Sequence, residues 1–194
     1  MIVIPEDATA PDFTLDGVID GTRRSYSLSR ELEAGNRVLL LFYPADFSPV
    51  STRELCAIRD AEWLVESPSL LVWAASGDST YAHRAFAAEF DLNFPLLTDS
   101  NGAVAERYDA VEDEWEGNHR VPKRSVFLVD ADRRIRYAWQ TDDPHLEPDP
   151  SPALVGYRKL LELGSAAVPA DFDVSVDYDE TVMSRSSYEV GFLR

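Results

Sequence analysis

VLLLFYPADFSPVSTRELC, residues 38–56, runs from a continuous apolar segment through two prolines into a polar stretch with helical spacing. Its first part, VLLLFY at 38–43, has the length and character of a strand buried on both faces. Pro44 ends that strand because proline has no N–H to donate to a sheet ladder, and Pro49 stiffens the loop again just before a helix begins. The pattern predicts a helix from 51 to about 66. Ser51 falls in its first turn, where unsatisfied backbone N–H groups and the helix dipole favour an anion. A thiolate there would have a depressed pKa. At about 100° per residue, Ser51, Glu54, Leu55, Ile58 and Val65 share one face, which must turn toward the core. Cys56 lies roughly 140° round from Ser51, beside Trp63, Arg59 and Asp60, so the two side chains cannot meet while the helix is intact.

Working outward, LLVWAA at 70–75 is a second buried-strand run. A helix is expected over 80–90, with Ser79 as cap and Ala82, Ala85, Phe86 and Phe90 as its apolar stripe. A turn follows at 99–102, then an acidic loop through Glu112, Asp113, Glu114 and Glu116. SVFLVD and IRYAW read as an antiparallel hairpin across the turn at Ala131, Asp132 and Arg133. Upstream, residues 12–30 read as two strands around the Asp16-Gly17 and Asp20-Gly21 turns, followed by a helix start near Ser29. A last helix over 152–163 is closed by Gly164. This order predicts an α/β fold with a central mixed β-sheet flanked by helices and an N-terminal β-hairpin. Sites in such sheets form at the carboxyl ends of parallel strands, where the loop after residue 43 lies. We expect one domain over 1–164 and a C-terminal arm over 165–194. The arm's alternating apolar residues, Phe172 to Tyr178 and Tyr188 to Phe192, fit packing on the domain or a partner subunit, or a partly disordered tail.

Composition narrows the partners. The 45% hydrophobic content over 194 residues suits one compact core, and the formal net charge of −17 repels nucleic acid and anionic membranes. Lys123 and Lys159 are the only lysines. So large an acidic excess fits a protein kept soluble in concentrated salt, or an acidic cytosolic protein. Cys56 is the only cysteine, which leaves no internal disulfide, zinc cluster or Cys-x-x-Cys pair. The first residues carry no basic start and no long apolar run, so a cytoplasmic location is expected.

The run FYPADFSPVSTRELCAIRD resembles the active-site segment of the peroxiredoxin family, whose pattern is Pro-x-x-x-Thr/Ser-x-x-Cys. Pro44 and Ser48 match that pattern, and Ser51 occupies the position of the peroxidatic cysteine. APDFTLDG at 10–17 resembles the family's N-terminal hairpin, and RSVFLVDADRRI at 124–135 resembles the strand with its catalytic arginine. The resemblance covers roughly residues 8–163. It implies a thioredoxin-like fold, no cofactor, reduction of hydrogen peroxide or alkyl hydroperoxides, a thioredoxin-like or other dithiol reductant as partner, and a homodimer. It also implies roles: Pro44 shields the reactive group, Ser48 hydrogen-bonds a peroxide oxygen, Arg124 lowers the thiol pKa and polarises the O–O bond, and Glu54 holds the arginine. Cys56 stands where the bacterioferritin-comigratory branch keeps its resolving cysteine, in a helix that unwinds locally for the two sulfurs to join.

Serine departs from the pattern at the residue that carries the chemistry. A hydroxyl is far less acidic than a thiol and has no sulfenic oxidation state, so the chain as written is expected to be inactive as a peroxidase. Two readings follow. One is a thiol peroxidase with its reactive cysteine exchanged for serine, and the other is a naturally serine-bearing protein acting as a binding or regulatory module; the native codon at 51 separates them. A serine hydrolase is disfavoured, because His83, His119 and His145 are expected in an exposed helix and two polar loops, and no G-x-S-x-G elbow is present. A metal site at Glu112, Asp113, Glu114, Glu116 and His119 competes with plain solvated surface, the commoner meaning of acidic runs.

Overall fold

A computed structural model describes residues 4–61 and 69–143. Among the described residues the main sheet has seven strands, in the order β2 (Thr22–Ser27), β1 (Thr14–Ile19), β5 (Leu96–Thr98), β4 (Leu70–Ser76), β3 (Arg37–Phe42), β8 (Ser125–Val129) and β9 (Ile135–Gln140). At its centre β3 (Arg37–Phe42) pairs in parallel with β4 (Leu70–Ser76), which pairs in parallel with β5 (Leu96–Thr98). The outer pairs are antiparallel: β8 (Ser125–Val129) beside β3, β9 (Ile135–Gln140) beside β8, and β1 (Thr14–Ile19) between β5 and β2 (Thr22–Ser27). The sheet is mixed, as expected.

The apolar run of β3 feeds two cores, because alternate side chains leave opposite faces of a strand. Leu39, Leu41 and Tyr43 pack with Leu55, Cys56, Ile58 and Phe86 on one face. These partners come from α2 (Pro49–Asp60) and α3 (Thr80–Glu89). Val38, Leu40 and Phe42 pack on the other with Leu28, Trp73, Tyr108 and Phe127, beside α1 (Leu28–Glu33) and α4 (Ala103–Arg107). Ser79 caps α3 by accepting from the backbone N–H of Ala82.

Some elements differ from expectation. The N-terminal hairpin turns only at Asp20-Gly21, both at positive φ, whereas Asp16-Gly17 lies inside β1. Gly17 is there for space: a Cβ would sit 2.4 Å from Leu97 Cδ2 and 2.7 Å from the Leu96 carbonyl oxygen. The acidic loop is instead a second sheet, with β6 (Val111–Trp115) paired to β7 (Asn118–Pro122). Its turn is Glu116-Gly117, both at positive φ. Charges on the solvent side hid the strand, and the two left-handed turn residues make the hairpin. The end of the long helix past residue 61, the 152–163 helix and the 165–194 arm lie outside the described residues. Among the described residues no helix is long and apolar enough to cross a membrane.

Candidate active site

The loop 43–48 leaves the carboxyl end of β3, and its two ends are pinned by different means. Pro44 is buried as the strand stops. Ser48 is extended at the N-cap of α2 and accepts from the backbone N–H of Ser51 at 3.3 Å, with Pro49 at the first helical position where a missing N–H costs nothing. The Ser48 hydroxyl donates to Ser51 Oγ at 2.8 Å. Ser51 is fully buried and faces inward, as helical spacing predicts.

Arg124 arrives from the neighbouring strand. Because β3 and β8 are antiparallel with Phe42 opposite Ser125, the residue preceding β8 lies beside the end of β3. Its Nη2 is 3.5 Å from Ser51 Oγ, and its Nη1 donates to Glu54 Oε2 in a buried ion pair. Glu54 sits one turn beyond Ser51 on the same face. Burial pushes its carboxyl up, and the Arg124 guanidinium pulls it back. The sequence motifs thus bring Pro44, Ser48, Ser51, Glu54 and Arg124 together.

Cys56 is elsewhere. It packs in the core with Leu41, Leu55 and Phe86, with Arg59 and Asp60 close enough to act on it, as the helical spacing places them. Burial raises its thiol pKa, nearby Asp60 adds to this, and Arg59 opposes it. Helix α2 is continuous from Pro49 to Asp60, which keeps Ser51 and Cys56 on different sides.

His83 corrects the expectation of an exposed histidine: it is fully buried. Nδ1 lies 2.9 Å from Asp46 Oδ2 and Nε2 lies 3.1 Å from the Leu97 carbonyl oxygen. Tyr43 donates its hydroxyl to Asp46 Oδ1 at 2.7 Å, and the Asp46 backbone N–H donates to Asp78 Oδ2 at 2.8 Å. This network holds the loop that carries Pro44 and Ser48. A signal existed in the spacing, since His83, Phe86 and Phe90 recur at three and four residues and so share the buried face. His119 lies on β7 opposite Glu114 and is exposed. His145 is outside the described residues. Among the described residues no three His, Cys, Asp or Glu side chains are grouped to hold a metal ion.

The AhpC/TSA family model matches residues 7–138. The peroxiredoxin bcp sequence of Coxiella burnetii is 33% identical over 132 residues, covering 67% of this chain and 84% of that protein. The chloroplastic peroxiredoxin Q of Sedum lineare is 33% identical over 127 residues, covering 66% of this chain but only 64% of its own length. Among solved structures, the peroxidoxin BcpB of Mycobacterium tuberculosis superposes with a TM-score of 0.69 at 25% identity, covering 81% of this chain and 97% of the other. Enterococcus faecalis AhpC also superposes at 0.69 and 25% identity, over 84% and 98%.

Proposed function

The chain belongs to the AhpC/TSA family, and from that premise we propose that residues 44–54 with Arg124 form a peroxide site whose reactive position is held by Ser51. The scaffold is that of a peroxiredoxin-like peroxidase. One observation carries the assignment of roles: the fully buried Ser51 Oγ has the Ser48 hydroxyl at 2.8 Å and an Arg124 nitrogen at 3.5 Å, in the first turn of a helix. These are donors arranged around a position where negative charge develops.

With sulfur at position 51, Arg124 and the helix N-terminus stabilise a thiolate. The thiolate attacks one peroxide oxygen and the O–O bond breaks. The sulfur becomes a sulfenic acid, and the other oxygen takes a proton and leaves as water or alcohol. Ser48 and Arg124 donate to the peroxide oxygens, and Pro44 keeps bulk water out. A second thiol then condenses with the sulfenic acid, giving a disulfide and water, and a dithiol reductant of the thioredoxin type returns both sulfurs to thiols. Cys56 is our candidate for that second thiol, which requires α2 to unwind locally. Serine cannot enter this cycle, so the chain as written holds the site without turning over.

A cytoplasmic homodimer in a salt-loving host, with one domain over 1–164 and an arm over 165–194, completes the reading. The acidic composition supports the host, and the family supports the assembly. The alternative, a naturally serine-bearing binding or regulatory protein, draws its support from Ser51 itself.

The test is Ser51→Cys. That variant is expected to consume hydrogen peroxide with a dithiol reductant while the present chain consumes none, and its oxidised form is expected to lose the mass of two hydrogens by joining Cys56. Equal activity in both chains overturns the role of position 51. An oxidised variant of unchanged mass removes Cys56 from the mechanism.

A further inference from the structure

Residues 43–48 join β3 to α2, and one face of α3 holds their middle. His83, Phe86 and Phe90 recur at three and four residues, so they share that face. His83 Nδ1 lies 2.9 Å from Asp46 Oδ2, and the Phe47 ring centre lies 4.9 Å from that of Phe86 and 6.3 Å from that of Phe90. The segment after β4 adds a second hold. Asp78 Oδ2 accepts from the Asp46 backbone N–H at 2.8 Å and from the Ser76 hydroxyl at 2.9 Å.

These contacts work against the backbone. Phe47 has φ 60°, in the left-handed region that residues with a Cβ disfavour and bulky ones most of all. The residue is 47% exposed, so burial alone does not keep it there. A loop in such a conformation relaxes unless its surroundings over-determine it, and here α3 and Asp78 do so.

Ser48 is the next residue along. Its hydroxyl accepts from the Ser51 N–H at 3.3 Å and donates to Ser51 Oγ at 2.8 Å, and its carbonyl accepts from the Thr52 N–H at 2.9 Å. Those bonds close the first turn of α2. Helices open from their ends, so the passage of position 51 toward Cys56 begins by breaking this turn.

Resting on the peroxide-site reading above, we infer that the His83, Phe86 and Phe90 face of α3 is a latch on residues 46–48 that sets how often the first turn of α2 opens. His83 is then a positioning residue that touches no substrate. With the latch closed, Ser48 and Arg124 meet at position 51 and the peroxide step runs. With it released, Phe47 leaves the left-handed region, the turn unwinds and a sulfenic sulfur at 51 reaches Cys56. The Cys56 sulfur bonds to it, and the sulfenic hydroxyl leaves with the thiol proton as water. The two steps draw on opposite states of one loop, so weakening the latch slows the first and speeds the second.

The experiment places His83→Leu or Phe47→Ala in the Ser51→Cys chain and follows single turnovers with hydrogen peroxide. Peroxide loss reads the first step, and the masses of sulfenic and disulfide forms in quenched samples read the second. Phe47→Ala keeps a Cβ at the left-handed position and removes only a half-exposed ring, so it carries the test if His83→Leu fails to fold. Each variant is expected to slow the peroxide step about tenfold and to speed disulfide formation about tenfold. Tyr108→Phe, which acts on the other face of the sheet, is expected to leave the ratio of the two rates unchanged. Rates that fall together, or that move in neither variant, overturn the latch.

A second measurement needs no turnover. With His83→Leu or Phe47→Ala in the present chain, the Ser51 and Thr52 amides are expected to exchange with deuterated water about tenfold faster. Those of Val104 and Ala105, bonded to Asp99, keep their rates. Equal acceleration at all four amides shows only a weaker fold and overturns the latch, as does no acceleration at Ser51 and Thr52. If Ser51→Cys consumes no peroxide, or never joins Cys56, while Ser51 and Thr52 alone exchange faster, that part of the peroxidase reading falls and the latch stands.

Discussion

His83 Nδ1 lies 2.9 Å from Asp46 Oδ2 with both side chains buried, and this contact joins α3 to the loop that presents Pro44 and Ser48. On its other side the ring lies 3.1 Å from the Leu97 carbonyl oxygen, an acceptor, so Nε2 donates there and Nδ1 faces the Asp46 carboxyl group. Asp46 in turn accepts from the Tyr43 hydroxyl on Oδ1 and meets His83 Nδ1 on Oδ2. The result is a buried polar cluster whose partners are all made by the fold.

Breaking that contact from one side should be costly, because the remaining polar group stays buried without its partner. His83→Leu is expected to destabilise the protein by about 2 kcal/mol, and Asp46→Asn by a comparable amount. The double substitution is expected to cost clearly less than the sum. Urea unfolding of the four chains measures this, and additive losses would show that the contact contributes no coupling.

Two buried tyrosines predict the alkaline limit of stability. Burial raises the Tyr108 hydroxyl far above its ordinary value of 10.0, and burial followed by the Asp46 charge does the same for Tyr43. Above pH 10 the unfolded chain releases these protons while the folded chain keeps them. The stability contributed by each is therefore complete below that pH and is lost as pH rises, at about 1.4 kcal/mol per pH unit per tyrosine. Tyr108→Phe loses the hydrogen bond to the Pro11 carbonyl oxygen, so it starts from lower stability, but its decline between pH 10 and 11 should be shallower by about one tyrosine's share. Unfolding series at pH 9, 10 and 11 read the two slopes, and parallel slopes would contradict the burial argument.

Glycines at positive φ separate strain from steric exclusion. Gly102 has φ 63°, and a Cβ there would sit 2.5 Å from the Arg120 carbonyl oxygen, which is backbone and cannot swing aside. Gly117 has φ 76° with nothing within 4 Å. Gly117→Ala should cost about 1 kcal/mol, from the left-handed backbone alone, and Gly102→Ala should cost well above 2 kcal/mol. Thermal melts of the two variants rank them, and an equal shift would show that the β7 backbone yields.

Much of this site is local and so was legible from residues alone. Pro44 and Pro49 set the loop, Ser48 three residues before Ser51 forms the cap, and a period of 3.6 turns Ser51 and Glu54 inward. Those relations span less than four helical turns and depend on backbone geometry that any chain shares. The motif resemblance extended the reading to Arg124, 73 residues away from Ser51. The environment of Cys56 was less legible, because position on a helix says which way a side chain points but not what stands opposite. His83 was misjudged for a related reason: its polar character outweighed its place on the Phe86 and Phe90 face.

Tertiary structure decided the rest. Only the antiparallel pairing of β8 with β3 delivers Arg124 to the end of the loop, and only the packing of α3 against the sheet buries His83 within hydrogen-bond distance of Asp46 and the Leu97 carbonyl. The acidic stretch 112–116 reads alone as solvated loop, yet as β6 it becomes a wall beside the site. Spacing along the chain determines the conformation and facing of each element, since backbone hydrogen bonding and dihedral preferences act over a few residues. Which groups meet, which lose water and which stay without a partner is set by contacts between distant segments, and the energies of charge and burial depend on those contacts.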